Sequence, residues 1–253
     1  MNIVMIGSGN VSTILCRLLH QNDFNISQVV SRNIAHAKML ADEVGASYSD
    51  MNGNIDATAD LYIISVADDA IKDCVELTRN INKPIVHTAG SVSIDILKHH
   101  FSQYGILYPL QSIRKEMKLI PEIPLLIDGN NEEMIQLLLN IASKLSSHVQ
   151  VADDETRFKL HVAAVFVNNF TNHLYSIAAD FCKKEQVDFN LLKPLILETA
   201  TRIKSIPPSQ LQTGPAKRKD VQTIDKHLQM LEEHAQMKEL YKMLTDSIIN
   251  NQW

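Results

Sequence analysis

The sequence predicts an α/β fold, a mostly parallel sheet interleaved with helices, followed by an all-helical C-terminal domain. Three observations carry this. An apolar run over 2–6 breaks into glycines and resumes at helical spacing. Short apolar runs then alternate with helical periodicity as far as residue 151. From Asp153 onward strand signals vanish and the rest reads as helix. Alternation followed by an all-helical stretch implies two domains, 1–152 and 153–253, with the boundary near Ala152.

Asn2-Ile3-Val4-Met5-Ile6 reads as the first strand and Gly7-Ser8-Gly9-Asn10-Val11-Ser12 as the turn after it. Val11, Ile14, Leu15, Leu18 and Leu19 then recur at helical spacing. Strand, glycine turn and helix in this order form the Rossmann fingerprint Gly-x-Gly-x-x-Gly/Ala, with Ser12 in the third place. Gly7 allows the tight turn, and Gly9 lets the backbone approach a pyrophosphate. The free N–H groups of the helix start, including those of Asn10 and Val11, would face that anion. The strand starts at residue 2, so no other domain is expected before it. A second strand over 26–30 ends in Ser31-Arg32-Asn33, where an NAD site usually carries Asp or Glu for the ribose hydroxyls. A guanidinium there suits the extra phosphate of NADP (NADPH). The alternative is that Arg32 is a solvated loop residue.

The second helix is expected over 33–44, packing through Ala35, Ala37, Met39, Leu40 and Val44, with Gly45 as its C-cap. A short third strand over 46–48 and a polar loop over 51–60 follow. The continuous apolar run 61–66 suits a central parallel strand covered on both faces. Asp68 is expected to cap a helix through Ala70, Ile71, Cys74, Val75 and Leu77. Further strands are expected over 83–87, 104–108 (ended by Pro109), 124–127 and 149–151. Ser93 should cap a helix through Leu97, and another helix should span 131–145. In the C-terminal domain, helices are expected over 154–184, 190–203, 220–233 and 238–249.

Ligands of open α/β sheets lie beyond the carboxyl ends of the strands. Besides the glycine turn and Ser31 to Asn33, this singles out Val66, Ala67 and Asp68, then Thr88, Ala89 and Gly90 within 87–91, then 108–112 with Gln111. The last three segments would flank the nicotinamide. Ser91 could equally be only part of a turn. The long C-terminal helix carries a polar stripe. His161, Asn168 and Asn172 fall within about 40° on an α-helical wheel, with Asn169 to one side. They either face the cleft and orient a substrate, with His161 as proton donor, or make interhelix hydrogen bonds. Thr213 to Asp220 concentrates three cations after a Gly214-Pro215 turn. It either presents Thr213, Lys217 or Arg218 to an anionic substrate or is a solvated basic loop.

Composition narrows the class. The 253 residues are 45% apolar and 21% charged, as in an ordinary globular protein large enough for a sizeable core. A net charge of −5 gives no basic face, so no nucleic-acid partner is expected. No signal peptide and no membrane-spanning run are apparent. Cys16, Cys74 and Cys182 sit far apart in helical patterns and read as reduced, buried thiols of a cytoplasmic protein. His99 and His100 are adjacent and make poor co-ligands, so no metal is expected. The helix over 154–184 is apolar nearly all round, and a hundred-residue helical unit has a limited core. A homodimer through the helical domain is therefore expected, the alternative being that this helix is buried within its own chain.

The opening Gly7-Ser8-Gly9-Asn10-Val11, with Ser31-Arg32-Asn33, resembles the 6-phosphogluconate dehydrogenase-like NADP-binding superfamily. That group includes pyrroline-5-carboxylate reductases and deazaflavin-dependent NADP reductases. The whole chain is similar to bacterial Rossmann-like NADP oxidoreductases whose helical C-terminal half is a domain of unknown function. The match rests on His87-Thr88-Ala89-Gly90-Ser91, Tyr108-Pro109-Leu110-Gln111-Ser112, His161-x-Ala163-Ala164 with Asn169, and Thr213-Gly214-Pro215-Ala216 with Arg218 and Asp220. Three departures stand out. Tyr108 replaces a usual His, Lys219 replaces a frequent Gly, and Lys159 is followed four residues on by Ala163 rather than Asn. The last removes the Lys/Asn pair of β-hydroxyacid dehydrogenases, so that activity is not expected. The resemblance implies a fold and an NADP cofactor but no substrate. The resulting expectation is an NADP(H)-dependent oxidoreductase acting on a small polar or anionic substrate. His161 and Asn169 are the catalytic candidates, and Gln111, Asn168, Asn172, Thr213 and Arg218 the substrate contacts. The resemblance also allows a deazaflavin as hydride partner. The alternatives are a non-catalytic NADP-binding sensor and an imine reductase like pyrroline-5-carboxylate reductase.

Overall fold

In a computed structural model, which describes residues 1–250, eight strands form one sheet in the order β3-β2-β1-β4-β5-β6-β7-β8. They are β1 (Asn2–Ile6), β2 (Asn25–Val30), β3 (Ser47–Ser49), β4 (Leu61–Ile64), β5 (Ile85–His87), β6 (Tyr104–Pro109), β7 (Leu125–Gly129) and β8 (Val149–Val151). Every neighbouring pair is parallel except β6 with β7. The strand order reverses at β1, which lies between β2 and β4. The crevice outside their carboxyl ends is where such sheets bind ligands.

The apolar runs are continuous because both faces are covered. Ile3, Met5, Leu61 and Ile63 enter one buried cluster, while Val4, Ile6, Tyr62 and Ile64 enter the other. Helix α1 (Asn10–Gln21) buries Ile14, Leu15, Cys16 and Leu19 behind β1. Helix α2 (Ile34–Val44) begins on the Asn33 side chain, which accepts the His36 N–H, and ends at Gly45 with φ +70°. Its buried stripe is Ala37, Leu40, Ala41 and Val44. Ala35 and Met39, expected to pack, are exposed, because the i, i+3, i+4, i+7 face anchored on Ala37 leaves them outside.

Asp68 does not cap a helix. A single 3₁₀ turn over Asp68–Ala70 precedes α3 (Ile71–Thr78), without a side-chain cap, and the Asp68 carboxylate instead accepts the Ser91 hydroxyl. Leu77 is exposed, and Ile71, Cys74, Val75 and Thr78 form the buried face. Ser93 caps only a 3₁₀ turn over Ile94–Ile96. Helix α4 (Glu132–Leu145) starts on Asn131, whose side chain accepts the Met134 N–H.

The long helix expected over 154–184 is not uniform. Helix α5 (Asp154–Ala164) passes into a π-helical segment, Val165–Phe170, and then into α6 (Thr171–Lys184). The i→i+5 winding turns less per residue than an α-helix, so the α-helical wheel that aligned His161 with Asn168 and Asn172 does not hold across it. The chain divides into compact units at Asn169/Phe170, inside this segment rather than at Ala152. Helix α5 belongs to the first unit because its side chains are tied to the sheet's loops, as described below. The second unit holds α6, α7 (Lys193–Arg202), α8 (Pro208–Leu211), α9 (Pro215–Arg218), α10 (Val221–Met230) and α11 (Ala235–Asn250). Asp220 caps α10, accepting the Thr223 N–H. All three cysteines are free and buried. Among the described residues no helix is long and apolar enough to cross a membrane.

Candidate active site

The turn after β1 has the conformation that the glycines imply. Gly7 sits at φ +125°, its N–H donating to Val30 O at 2.7 Å. A Cβ there would lie 1.9 Å from the Ser65 carbonyl oxygen. Ser12, fully buried, donates its hydroxyl to that same oxygen at 2.8 Å, so the turn, helix α1 and the end of β4 are locked together. A Cβ on Gly9 would meet nothing within 4 Å, and no side chain caps α1. Its first N–H groups therefore face open space, the arrangement that receives a phosphate.

A cleft of about 560 Å³ opens from this turn along the strand ends. It is lined by Gly7, Ser8, Gly9, Asn10 and Val11; by Ser31, Arg32 and Asn33; by Val66, Ala67 and Asp68; and by Thr88, Ala89, Gly90 and Gln111. The strand ends thus bring together all the positions singled out for the cofactor, from segments far apart in the chain. Hydroxyls organise the walls. Ser8 Oγ and Ser31 Oγ are 2.7 Å apart, and Thr88 donates to Ser65 Oγ at 3.2 Å. Arg32 is exposed at the mouth, with no ion pair to a carboxylate among the described residues. An open glycine cradle, an uncapped helix start and a free guanidinium beyond β2 fit a dinucleotide bearing an extra phosphate. His36 and Ser65, which the sequence reading passed over, also line this cleft.

The cleft ends on a pair of side chains. Tyr108 Oη lies 2.9 Å from His161 Nδ1, joining the end of β6 to α5. Gly90 is buried beneath both. A Cβ there would come within 2.8 Å of His161 Nδ1 and of the Tyr108 ring. A second cavity of about 500 Å³ shares Tyr108, Gln111 and His161 with the cleft and continues past Leu110, Ser112, Leu160, Val167, Asn168 and Asn169. Ser112 donates to Asn168 Oδ1 at 3.0 Å. Asn172, Thr213 and Arg218 belong to the second unit, where each is exposed. None of the three lines the cavity of about 470 Å³ that this unit carries beside His173, Phe181, Lys184 and His234.

Tyr108, which the sequence did not single out as a site residue, is brought against His161 by the fold. Where the resembling family usually carries a His, the phenol of Tyr108 reaches the imidazole of α5. Its environment is polarised. Burial pushes the phenol up from its ordinary value, while the Arg157 guanidinium pulls it down and Asp68 pushes it up. His87, wholly buried at the end of β5, is held down at about 4, first by burial and further by Arg157, against the opposing effect of its bond to Ser93 O. Its Nδ1 accepts the Ala89 N–H at 3.2 Å, which fits a neutral ring. Asp154 accepts the Ser93 hydroxyl, the Ile94 N–H and Arg157 Nη2. Burial raises its carboxyl, but these donors together keep it below the ordinary value.

Residues 2–96 match the family described as NADP oxidoreductase, coenzyme F420-dependent, and residues 123–248 match a domain of unknown function, DUF2520. None of the curated proteins compared matches the chain. Among solved structures, a putative NADP oxidoreductase from Bacteroides fragilis is 39% identical, with 98% of each chain covered and a TM-score of 0.91. A 1-pyrroline-5-carboxylate reductase from Streptococcus pyogenes is 13% identical, covering 99% of this chain and 98% of that one, with a TM-score of 0.65. An imine reductase from Myxococcus stipitatus, in complex with NADP+, is 16% identical over 99% of this chain and 92% of that one, with a TM-score of 0.64. The last two likenesses establish fold alone. With an NADP oxidoreductase module followed by DUF2520, and with this identity over almost its whole length, the chain belongs to the NADP-dependent oxidoreductase family of the Bacteroides fragilis protein.

Proposed function

We propose that the protein is an NADPH-dependent reductase of a small carbonyl or imine compound, with the Tyr108–His161 pair supplying the proton. The observation that carries this reading is the 2.9 Å Tyr108 Oη to His161 Nδ1 contact, placed where the two cavities of the first unit meet. Gly7 to Val11 would hold the pyrophosphate, Ser31 to Asn33 the ribose phosphate, and Thr88 to Gly90 the nicotinamide side. NADPH, when bound, would supply a hydride to the substrate carbon, the displaced π electrons passing to the substrate oxygen or nitrogen. Tyr108 would give its proton to the substrate oxygen or nitrogen on which negative charge builds. The phenolate then recovers a proton from His161 or water. Gln111, Asn168 and Asn169 line the second cavity with amides that can orient a polar group. Asn172, Thr213 and Arg218, exposed in the second unit, remain proposed contacts for a polar or anionic substrate.

The test is NADPH oxidation against a panel of cyclic imines and small keto compounds. Tyr108→Phe and His161→Ala should each lower turnover about 10²–10⁴-fold while NADPH still binds. Full activity in both variants would refute the proton assignment. NADPH binding without turnover on any panel member would favour a cofactor-sensing protein instead.

We further propose that a second copy of the chain covers the helical unit. In that unit Leu191, Leu195 and Leu197 are 77%, 63% and 68% exposed, and only Cys182, Ala216, Ile224 and Leu231 are buried hydrophobics among its described residues. Sedimentation should give a dimer that Leu195→Glu with Leu197→Glu converts to a monomer. A monomeric native protein would end this reading.

A further inference from the structure

Arg157 is 1% exposed, the largest of the fully buried side chains, and two of its three nitrogens, Nε and Nη1, have no hydrogen-bond partner. Only Nη2 is bonded, to Val92 O at 2.7 Å and Asp154 Oδ1 at 2.5 Å. A guanidinium in this position is poorly compensated, and a well-packed apolar side chain would serve burial better. The surroundings indicate what its charge acts on. Arg157 stands one helical turn before His161 on α5, hence on the same face. In the sheet, His87 is paired with Ile106 and Ile106 with Asp128, so these three share one face. Tyr108, two residues beyond Ile106, shares it too. The guanidinium's charge pulls down each of His87, Tyr108 and Asp128, against or alongside the larger effect of burial.

We propose that Arg157 is a positioning residue for proton donation. Its buried, half-unpaired guanidinium clamps α5 to the loop after β5 and provides the fixed positive charge that stabilises the phenolate left when Tyr108 gives up its proton. This rests on the reading of Tyr108 as proton donor. The charge is held in place before the reaction, inside a low-dielectric wall, where a preoriented charge acts most strongly. His161 on α5 touches Tyr108, Arg157 on α5 and Asp68 in the 3₁₀ turn after β4 act on it through their charge, and His87 and Asp128 lie on the flanking strands. Of these, Arg157 is the one permanently cationic group. The clamp also holds the loop. Asp154, which binds Nη2, receives the Ile94 N–H and the Ser93 hydroxyl, and Gly90 of the same loop packs against the Tyr108–His161 pair.

The experiment reads phenol acidity rather than turnover, so it stands whether or not a substrate is found. A fluorotyrosine is placed at position 108 of the full chain, and its ionisation is followed by fluorine NMR. This is done alone, with Arg157→Met and with Arg157→Lys, and NADPH binding is measured for each. Arg157→Met should raise the apparent pKa by about one unit, a tenfold loss of acidity, and Arg157→Lys should restore most of it. An unchanged titration in folded Arg157→Met, or equal shifts in both variants, would overturn the proposal. If Arg157→Met does not fold, carbon-detected NMR of the Arg157 guanidinium in the parent chain decides. Its Nε signal should move with the fluorotyrosine titration, and a flat response would overturn the proposal.

Discussion

Gly7→Ala and Gly9→Ala should separate the structural from the ligand-facing glycine. At Gly7 the new Cβ would stand 1.9 Å from Ser65 O and 2.8 Å from Ser12 Oγ, on a backbone with φ +125°. Reaching an ordinary contact of 3.4 Å requires a shift of 1.5 Å (3.4 − 1.9), borne by the main chain at the end of β4. That shift breaks the Ser65 N–H to Ile6 O bond, 2.7 Å, and the Ser12 Oγ to Ser65 O bond, 2.8 Å. Two buried hydrogen bonds at about 1 kcal/mol each, plus about 1–3 kcal/mol of backbone strain, give about 3–5 kcal/mol. In a chain of this size that corresponds to a fall in Tm of about 6–20 °C. At Gly9, φ is −82° and nothing lies within 4 Å, so alanine should leave Tm within about 2 °C. Its methyl would project towards the cleft and should weaken NADPH binding about tenfold or more. Thermal unfolding and NADPH fluorescence titration of the two variants measure this. Native Tm in Gly7→Ala, or native affinity in Gly9→Ala, would refute the reasoning.

Other consequences follow from single sites. Arg32→Ala should cost NADPH about 10–100-fold in affinity and leave NADH unchanged, read by isothermal titration; equal losses for both would exclude a phosphate contact. Lys219 adopts φ +54° as the left-handed C-cap of α9, the conformation that makes Gly frequent there, so Lys219→Gly should stabilise by about 0.5–1 kcal/mol in denaturant unfolding. Glu122 accepts hydrogen bonds from the Ser147 side chain and N–H, from Ser146 and from His148, which hold its carboxyl down at about 2. Because its folded value lies below the unfolded one of about 4.3, its contribution is complete above that pH and disappears as pH falls towards 2. Glu122→Gln should therefore flatten the acid limb of the stability profile, measured by thermal unfolding from pH 6 to pH 2.

The first half of the chain was legible because its local rules agree. The apolar runs of β1 and β4, the glycines and serine of the turn, Asn33 and Gly45 as caps, and the strand-end segments all concern neighbours in sequence, and the sheet gathers those segments into one cleft. What was missed depends on tertiary partners. Asp68 gives its carboxylate to Ser91 instead of a helix end, and Ala35 and Met39 lose to the stripe through Ala37 and Ala41. The π segment at Val165–Phe170 leaves no periodic trace in so short a window, so Asn168 and Asn172 could not be placed by wheel geometry. Tyr108 is visible in Tyr-Pro-Leu-Gln-Ser, but its 2.9 Å contact with His161 exists only once the fold brings α5 to the end of β6. Nothing in the residues around Arg157 announces a buried cation. Its burial follows from the bonds of α5 to Val92 and Asp154.

The most direct measurement is the fluorescence titration of the purified chain with NADPH, NADP+, NADH and NAD+. Micromolar binding of the phosphorylated pair, at least tenfold tighter than the other two, is the expected result. No binding of any of the four would contradict the assignment of the glycine turn and Arg32 to a dinucleotide, and the reductase reading would fall with it.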